Sequence, residues 1–199
     1  MPQRLDTMQW FNEPEKWEIK NPATVVIHTP PKTDFWRITH YGFTVDDAPF
    51  YYGVYGGEFE AKVKIAGDYK TTFDQMGLML RMDHKNWIKA GIEFVDGKMN
   101  VSTVVTHNTS DWSVLELNEA PALIWMKALR RLDAIQVFYS LDDQVYKMIR
   151  TCWFQDNTPV QVGLMAASPD GDGFTATFEH FEVKPLADLR RLEWSGKNH

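Results

Sequence analysis

Glycoside hydrolysis needs two carboxylates, about 5–5.5 Å apart for retention of configuration and about 6.5–9.5 Å apart for inversion. Asp34, Asp74 and Asp111 fall at strand ends or in loops and could converge with Glu93, which sits within a strand. The strand that carries Glu93 offers no second acid on the same face. It offers Lys89, one step of four residues away, and an ion pair across the sheet is the simpler use of both. No catalytic residue is assigned on this basis. Recognition is a better use of the same residues. Sugar rings present polarised C–H groups that pack on aromatic faces, and their hydroxyls take charged or amide partners. Trp36, Trp87 and Trp112 with Gln75, Lys89, Glu93 and Asp111 make such a set: an apolar lining with a few placed polar groups. Asp34, His40, Tyr41 and Asp74 complete the candidate ligand-binding residues. Tryptophans half-buried at a sandwich rim account for the same pattern. Mutation separates the two: if Trp87 and Glu93 face a ligand, replacing either abolishes uptake and barely moves the melting temperature.

Other chemistries have weaker support. The six histidines, His28, His40, His84, His107, His180 and His199, show neither i,i+4 nor His-x-His spacing. His40 and His107 flank the candidate-site loops and could meet in space, but surface or hydrogen-bonded roles explain them better. Asp170-Gly171-Asp172-Gly173 lacks the terminal bidentate Glu of a calcium loop and reads as a turn. There is no Gly-rich phosphate loop and no Gly-x-Ser-x-Gly elbow. No metal and no cofactor is expected. Cys152 is the one cysteine; between Thr151 and Trp153 it reads as a buried small hydrophobe rather than a reactive thiol. Lys and Arg total 21 against 27 Asp and Glu, a formal charge of −6, which argues against a nucleic-acid partner. No apolar run marks a signal peptide or reaches the ~20 residues of a membrane span, so no membrane partner is expected and a cytoplasmic setting is the default.

The elements that must position the candidate site lie in residues 74–106. Ile88, Ala90, Ile92 and Phe94 share one parity; Trp87, Lys89, Gly91 and Glu93 share the other. Strand side chains alternate faces, so one face is apolar and the other polar and aromatic. The preceding strand splits likewise, Met76, Leu78, Leu80 and Met82 against Gln75, Gly77, Met79 and Arg81. Asp96-Gly97 is a two-residue hairpin turn, since both central positions of a type I′ turn need positive φ. That register pairs Val95 with Lys98, Glu93 with Asn100, Gly91 with Ser102 and Trp87 with Thr106. Trp87 and the two glycines, Gly77 and Gly91, would suit a shallow ligand-binding face; a plain solvated face is the alternative.

Elsewhere, strands are expected at Trp17–Lys20, Thr24–Thr29, Phe50–Tyr55 (an edge), Glu58–Ile65, Leu123–Leu129, Ala134–Leu141, Val145–Arg150, Val160–Ser168 (central) and Phe174–Val183. Residues 33–43 and 107–113 read as loops, the first rich in aromatics that must plug a sandwich edge or line a site. Residues 186–199 read as a short helix and frayed end. Short turn-punctuated strands without helical periodicity indicate an all-β fold: two antiparallel sheets packed as a sandwich, in one domain over residues 1–199 with its core at about 8–185.

Asp34-Phe35-Trp36, Thr39-His40-Tyr41-Gly42-Phe43, Phe73 to Leu78, Asn86 to Glu93, Ser110-Asp111-Trp112-Ser113 and Val162 to Pro169 together resemble an uncharacterised domain family, the one that includes the regulation-of-enolase protein. The resemblance spans roughly residues 4–185. It implies a jelly roll of the concanavalin A-like lectin/glucanase type and a role linked to glycolytic enolase, but no catalytic residues. The expectation is a non-enzymatic cytosolic protein that holds a small polar ligand, a sugar or sugar-phosphate metabolite, on its concave sheet. The alternatives are a module that docks on a protein such as enolase through an aromatic patch, and a glycan-processing enzyme.

Overall fold

The computed structural model describes residues 5–155 and 158–187. A 3₁₀ turn at Leu5–Thr7 precedes β1 (Gln9–Phe11), β2 (Trp17–Asn21), β3 (Thr24–His28), β4 (Phe35–Arg37), β5 (Thr44–Asp46) and β6 (Phe50–Tyr55). Then come β7 (Phe59–Gly67), β8 (Gln75–Arg81), β9 (Asn86–Val95), β10 (Lys98–His107) and β11 (Thr109–Glu116). The chain continues through β12 (Ile124–Arg131), β13 (Ala134–Ser140), β14 (Lys147–Trp153), β15 (Val160–Ala167) and β16 (Thr175–Pro185). Two seven-stranded antiparallel sheets result, in the orders β1-β6-β15-β8-β9-β10-β11 and β14-β13-β12-β7-β16-β3-β2, and β4 pairs only with β5. This is the two-sheet antiparallel sandwich expected from the alternation and the jelly roll that the family resemblance implies. The helix expected in the C-terminal stretch falls almost wholly outside the described residues.

The core lies between the sheets. Phe59, Ala61, Val63 and Ile65 of β7 meet Met76, Leu78 and Leu80 of β8 and Ile88, Ala90 and Ile92 of β9 there. The expected register is reproduced pair for pair: Lys98 opposite Val95, Asn100 opposite Glu93, Ser102 opposite Gly91, Thr106 opposite Trp87. Asp96 and Gly97 both have positive φ, at 51° and 79°, as the tight turn requires.

Three expectations need correction. Phe50–Tyr55 is not an edge, because β1 pairs with it on the outside. Residues 109–116 form a strand, not a loop: Asn108 turns the chain in the left-handed region (φ 66°) and β11 pairs back on β10 from His107 opposite Thr109 onward. Asn is one of the few residues that tolerate that conformation. Residues 35–46 are not a loop plugging an edge. They form the β4–β5 hairpin, which lies across the outer face of the first sheet as a strap.

The strap makes a second, smaller core. Phe35, Trp36 and Ala48 pack with Phe50, Met79, Trp87, Val104, Met165 and Ala167. It is pinned along its length. Asp34 meets Lys89 at 2.9 Å, Asp46 meets Arg81 at 3.3 Å, and the Arg37 amide donates to Ser110 Oγ at 3.0 Å.

The paired glycines also have a different cause from the one expected. Gly77 and Gly91 face each other across β8 and β9. A Cβ on Gly91 would lie 1.9 Å from the Met76 carbonyl oxygen and 2.7 Å from the Gly77 Cα. Close backbone approach, rather than an open ligand floor, demands glycine here. Gly91→Ala should therefore destabilise the fold by about 1–3 kcal/mol, as overpacking does. A chemical denaturation midpoint equal to that of the parent would show that the strands can part without cost.

Candidate functional site

The polar face of the first sheet is ordered in rows by strand register. Gln75, Glu93 and Asn100 form one row; Met79, Lys89, Val104 and Trp112 form another; Arg81, Trp87, Thr106 and Ser110 form a third. The strap covers the third row and part of the second. It leaves a cavity of about 250 Å³ beside it, walled by Trp36, Tyr41 and Phe43 of the strap and by Phe73 and Trp112 opposite. Asp34, Gln75, Lys89, Glu93 and Val104 line it further, with Pro169 and Asp170 of the loop after β15.

Seven of the eleven expected ligand residues share this cavity: Asp34, Trp36, Tyr41, Gln75, Lys89, Glu93 and Trp112. Four lie elsewhere. Trp87 is on the expected face but only 1% exposed, sealed under Phe35 with ring centroids 6.1 Å apart. Asp74 is fully buried; its carboxylate accepts from the Lys70 and Thr71 amides and from Ser168 Oγ, which fixes a loop. Asp111 is displaced by strand parity, since neighbours in a strand point to opposite faces. It pairs with Arg150 at 3.0 Å and, with His40, borders a neighbouring hollow across Tyr41 and Trp112. His107 lies apart, hydrogen-bonded to Asn86 and the Trp153 carbonyl. Phe73, Val104, Pro169 and Asp170 were not anticipated, whereas Phe43 is one of the aromatics of residues 33–43 expected to plug an edge or line a site. Val104 was legible, since it has the parity of Ser102 and Thr106 in the predicted hairpin.

The floor of the cavity is a buried charge network. Lys89, 4% exposed, donates to Asp34 Oδ1 at 2.9 Å. The Trp112 indole donates to Glu93 Oε2 at 2.7 Å and lies 3.2 Å from Ser102 Oγ. The Trp36 indole donates to the Thr39 carbonyl at 2.9 Å. Gln75 donates to the Phe73 carbonyl at 3.1 Å. Desolvation is the largest influence on Glu93 and raises its pKa; Lys89, Ser102 and Trp112 pull it back but do not overcome burial.

A raised carboxyl pKa means that the folded chain holds a proton which the unfolded chain has released. Stability should therefore fall as pH rises from the ordinary glutamate range through the raised value. Glu93→Gln keeps an acceptor for Trp112 and removes the titration. Its melting temperature should vary less with pH than the parent's across that window, whereas parallel pH profiles would mean that Glu93 does not titrate out of range.

Backbone strain flanks the cavity. Ile38 and Phe73, both bulky and one β-branched, hold φ of 65° and 71°. Such outliers cost about 1–3 kcal/mol each and collect at ligand clamps and switch regions.

Two chemistries are poorly served. A hydrolytic pair needs carboxylates free to face substrate, but Asp34 is tied to Lys89 and to the Phe35 amide, and Glu93 to Trp112. Among the described residues no three His, Cys, Asp or Glu side chains group as a metal site would need. No helix among them is long and apolar enough to cross a membrane.

Known proteins share the fold. "Regulation of enolase protein 1" of Saccharomyces cerevisiae is 34% identical over 185 residues, 90% of this chain and 93% of that protein. A solved structure of a functionally unknown S. cerevisiae protein superposes with a TM-score of 0.88 at 32% identity, covering 93% of this chain and all of the other. More distant likenesses show the fold alone. A glycoside hydrolase family 43 protein of Bacillus licheniformis matches with TM-score 0.70 at 14% identity, over 90% of this chain and 37% of that one. A legume lectin-like domain of Entamoeba histolytica matches with TM-score 0.56 at 14% identity, over 90% and 97%. A family model described as "Protein of unknown function (DUF1349)" matches residues 10–186, nearly the whole described chain, and the protein belongs to that family.

Proposed function

We propose that the chain is a non-enzymatic binding protein that holds a small polar ligand in the cavity between the strap and the first sheet. The observation that carries this is the cavity's make-up: five aromatic side chains around a buried polar floor. Its volume of about 250 Å³ suits a ligand somewhat smaller than those of typical ~300–1,000 Å³ sites. Strain at Ile38 and Phe73 supports the same reading. The likeness to a lectin-like domain and a family 43 hydrolase makes neutral sugars one class to try. The yeast relative's name, which speaks of regulation of enolase, makes a regulatory role for the ligand the one to try.

The test is a thermal-shift screen against sugars, sugar phosphates, organic acids and amines. A ligand at 100 times its Kd stabilises by about 2.7 kcal/mol, several degrees for a chain of this length. Tyr41 and Phe43 are 50% and 46% exposed, so Tyr41→Ala and Phe43→Ala should leave the ligand-free melting temperature nearly unchanged and remove the ligand's shift. A shift that survives both substitutions places the ligand elsewhere.

A second reading rests on Ile38, Tyr41 and Phe43, three large apolar residues exposed at the strap tip. These would dock directly on enolase or another protein. Co-sedimentation with purified enolase, lost in Tyr41→Ala and accompanied by no small-molecule shift, would favour it over the first.

A further inference from the structure

We propose that the cavity takes a small organic ammonium ion, a methylated amine whose apolar cationic head sits between the two aromatic walls. The proposal rests on the reading of the cavity as a ligand site and names the class of ligand. Its first support is the charge inventory of the lining: three carboxylates, Asp34, Glu93 and Asp170, against one cation, Lys89. Lys89 is already committed to Asp34 at 2.9 Å. Glu93, 6% exposed, makes no ion pair of its own among the described residues, and Lys89 acts on it only through space. A phosphate or carboxylate ligand would meet the buried Glu93 carboxyl on a floor whose one cation is already paired with Asp34, which is unfavourable.

The second support is the hydrogen-bond inventory. Both indole N–H groups on the walls already donate inside the protein, Trp36 to Thr39 and Trp112 to Glu93. The Gln75 side chain is 94% buried by the complement of its 6% exposure and lines the cavity. Its amide oxygen accepts no hydrogen bond among the described residues. The Gln75 amide oxygen is therefore a free acceptor beside two indoles whose N–H groups are already spent. A polyhydroxylated sugar would find neither indole N–H free to donate to its oxygens. A methylated ammonium has none on its head and presents polarised C–H groups to acceptors and ring faces. Aromatic rings with carboxylates behind them are the general means of recognising such cations.

Binding should also be linked to protons. Burial holds Glu93 protonated above the ordinary range; Lys89 on its own strand, Asp34 on the strap and Asp170 on the facing loop are the charged groups around it. A bound cation would favour the carboxylate, so affinity should rise with pH through that titration.

The experiment is calorimetry of the whole chain with choline and with 3,3-dimethylbutan-1-ol, its neutral carbon isostere. Choline should bind roughly tenfold or more tightly. Its affinity should rise with pH in the parent and be flat and several-fold weaker in Glu93→Gln, with the isostere unaffected. Phe43→Leu, at a half-exposed position, is the second variant and should weaken choline if Glu93→Gln does not fold. A peptide with trimethyl-lysine forms a further arm: tighter binding of the peptide places the ammonium on a protein, tighter binding of choline places it on a free metabolite, and both uphold the class. Equal affinity for choline and its isostere overturns the proposal. So does binding of glucose, xylose or arabinose, lost in Tyr41→Ala, without binding of choline, although the cavity then remains a ligand site. Failure of every ligand in the screen to act through the cavity overturns both.

Discussion

Trp87→Ala should lower stability by about 3–5 kcal/mol, the usual cost of truncating a buried tryptophan. At about 2–4 °C per kcal/mol for a chain of this length, the melting temperature falls by roughly 10 °C. The cause is local. Trp87 is 1% exposed and sits under Phe35, among Phe50, Met79, Val104, Met165 and Ala167. Removing the indole empties the centre of the strap's core, and the rigid sheet beneath cannot collapse to fill it. Trp87→Phe should cost distinctly less because a ring still meets Phe35. Any loss of ligand uptake in Trp87→Ala should come with this loss of stability, through a displaced strap. That is the reverse of what the strand parity alone suggests. A melting temperature within about 2 °C of the parent's would mean that the strap does not pack as described.

Parity predicts which face a side chain takes but not what lies over that face. The assignment of Trp87, Lys89 and Glu93 to one side of β9, and of Ile88 and Ile92 to the other, followed from alternation and from the Asp96-Gly97 turn. Both are local signals, and both hold in the structure. What covers the polar side is set by residues 35–46, some 50 positions earlier in the chain. Those residues carry no clean alternation and are held by long-range contacts such as Asp34 to Lys89. Their strand character was hidden because β4 and β5 are three residues each and pair only with one another.

The candidate site was legible to the extent that its residues lay on recognised strands. Gln75, Lys89 and Glu93 came directly from the hairpin register. Trp112 and Asp111 were grouped together because residues 107–113 were read as a loop, where alternation says nothing. Once β11 is a strand, Ser110 and Trp112 share the face of Val104 and Asp111 takes the other. Asn108 was the available signal, a residue that tolerates the left-handed turn joining β10 to β11. Phe73 and Asp170 enter the site from loops whose course depends on the packed sheets, and no local pattern marks them. Asp74 was selected as a polar neighbour of Gln75, but the Lys70 and Thr71 amides it accepts from show it serving the loop.

Asp34→Ala should have an effect as large as the loss of Trp87, for an electrostatic reason. The Lys89 side chain is 5% exposed and that of Asp34 16%, with 2.9 Å between Nζ and Oδ1. Breaking a buried pair from one side leaves the other charge uncompensated and costs about 3–5 kcal/mol. The same carboxylate also accepts from the Phe35 amide at 2.7 Å, so the strap loses its entry point. The pair is buried, so the cost should change little between low and high salt. By contrast, Glu116→Ala breaks the exposed pair with Lys98 (side chains 54% and 59% exposed), and surface pairs contribute about 0–1 kcal/mol. Replacing both Asp34 and Lys89 with apolar residues of similar volume, as in Asp34→Leu with Lys89→Met, should recover most of the stability lost in Asp34→Ala. It should not recover ligand binding if the polar floor is used. A double-mutant cycle by chemical denaturation measures this coupling directly. A coupling energy near zero would mean that Lys89 finds another partner, with Glu93 a candidate on its own strand, and that the strap is held by its aromatic side chains and its remaining polar pins, Asp46 to Arg81 and Arg37 to Ser110.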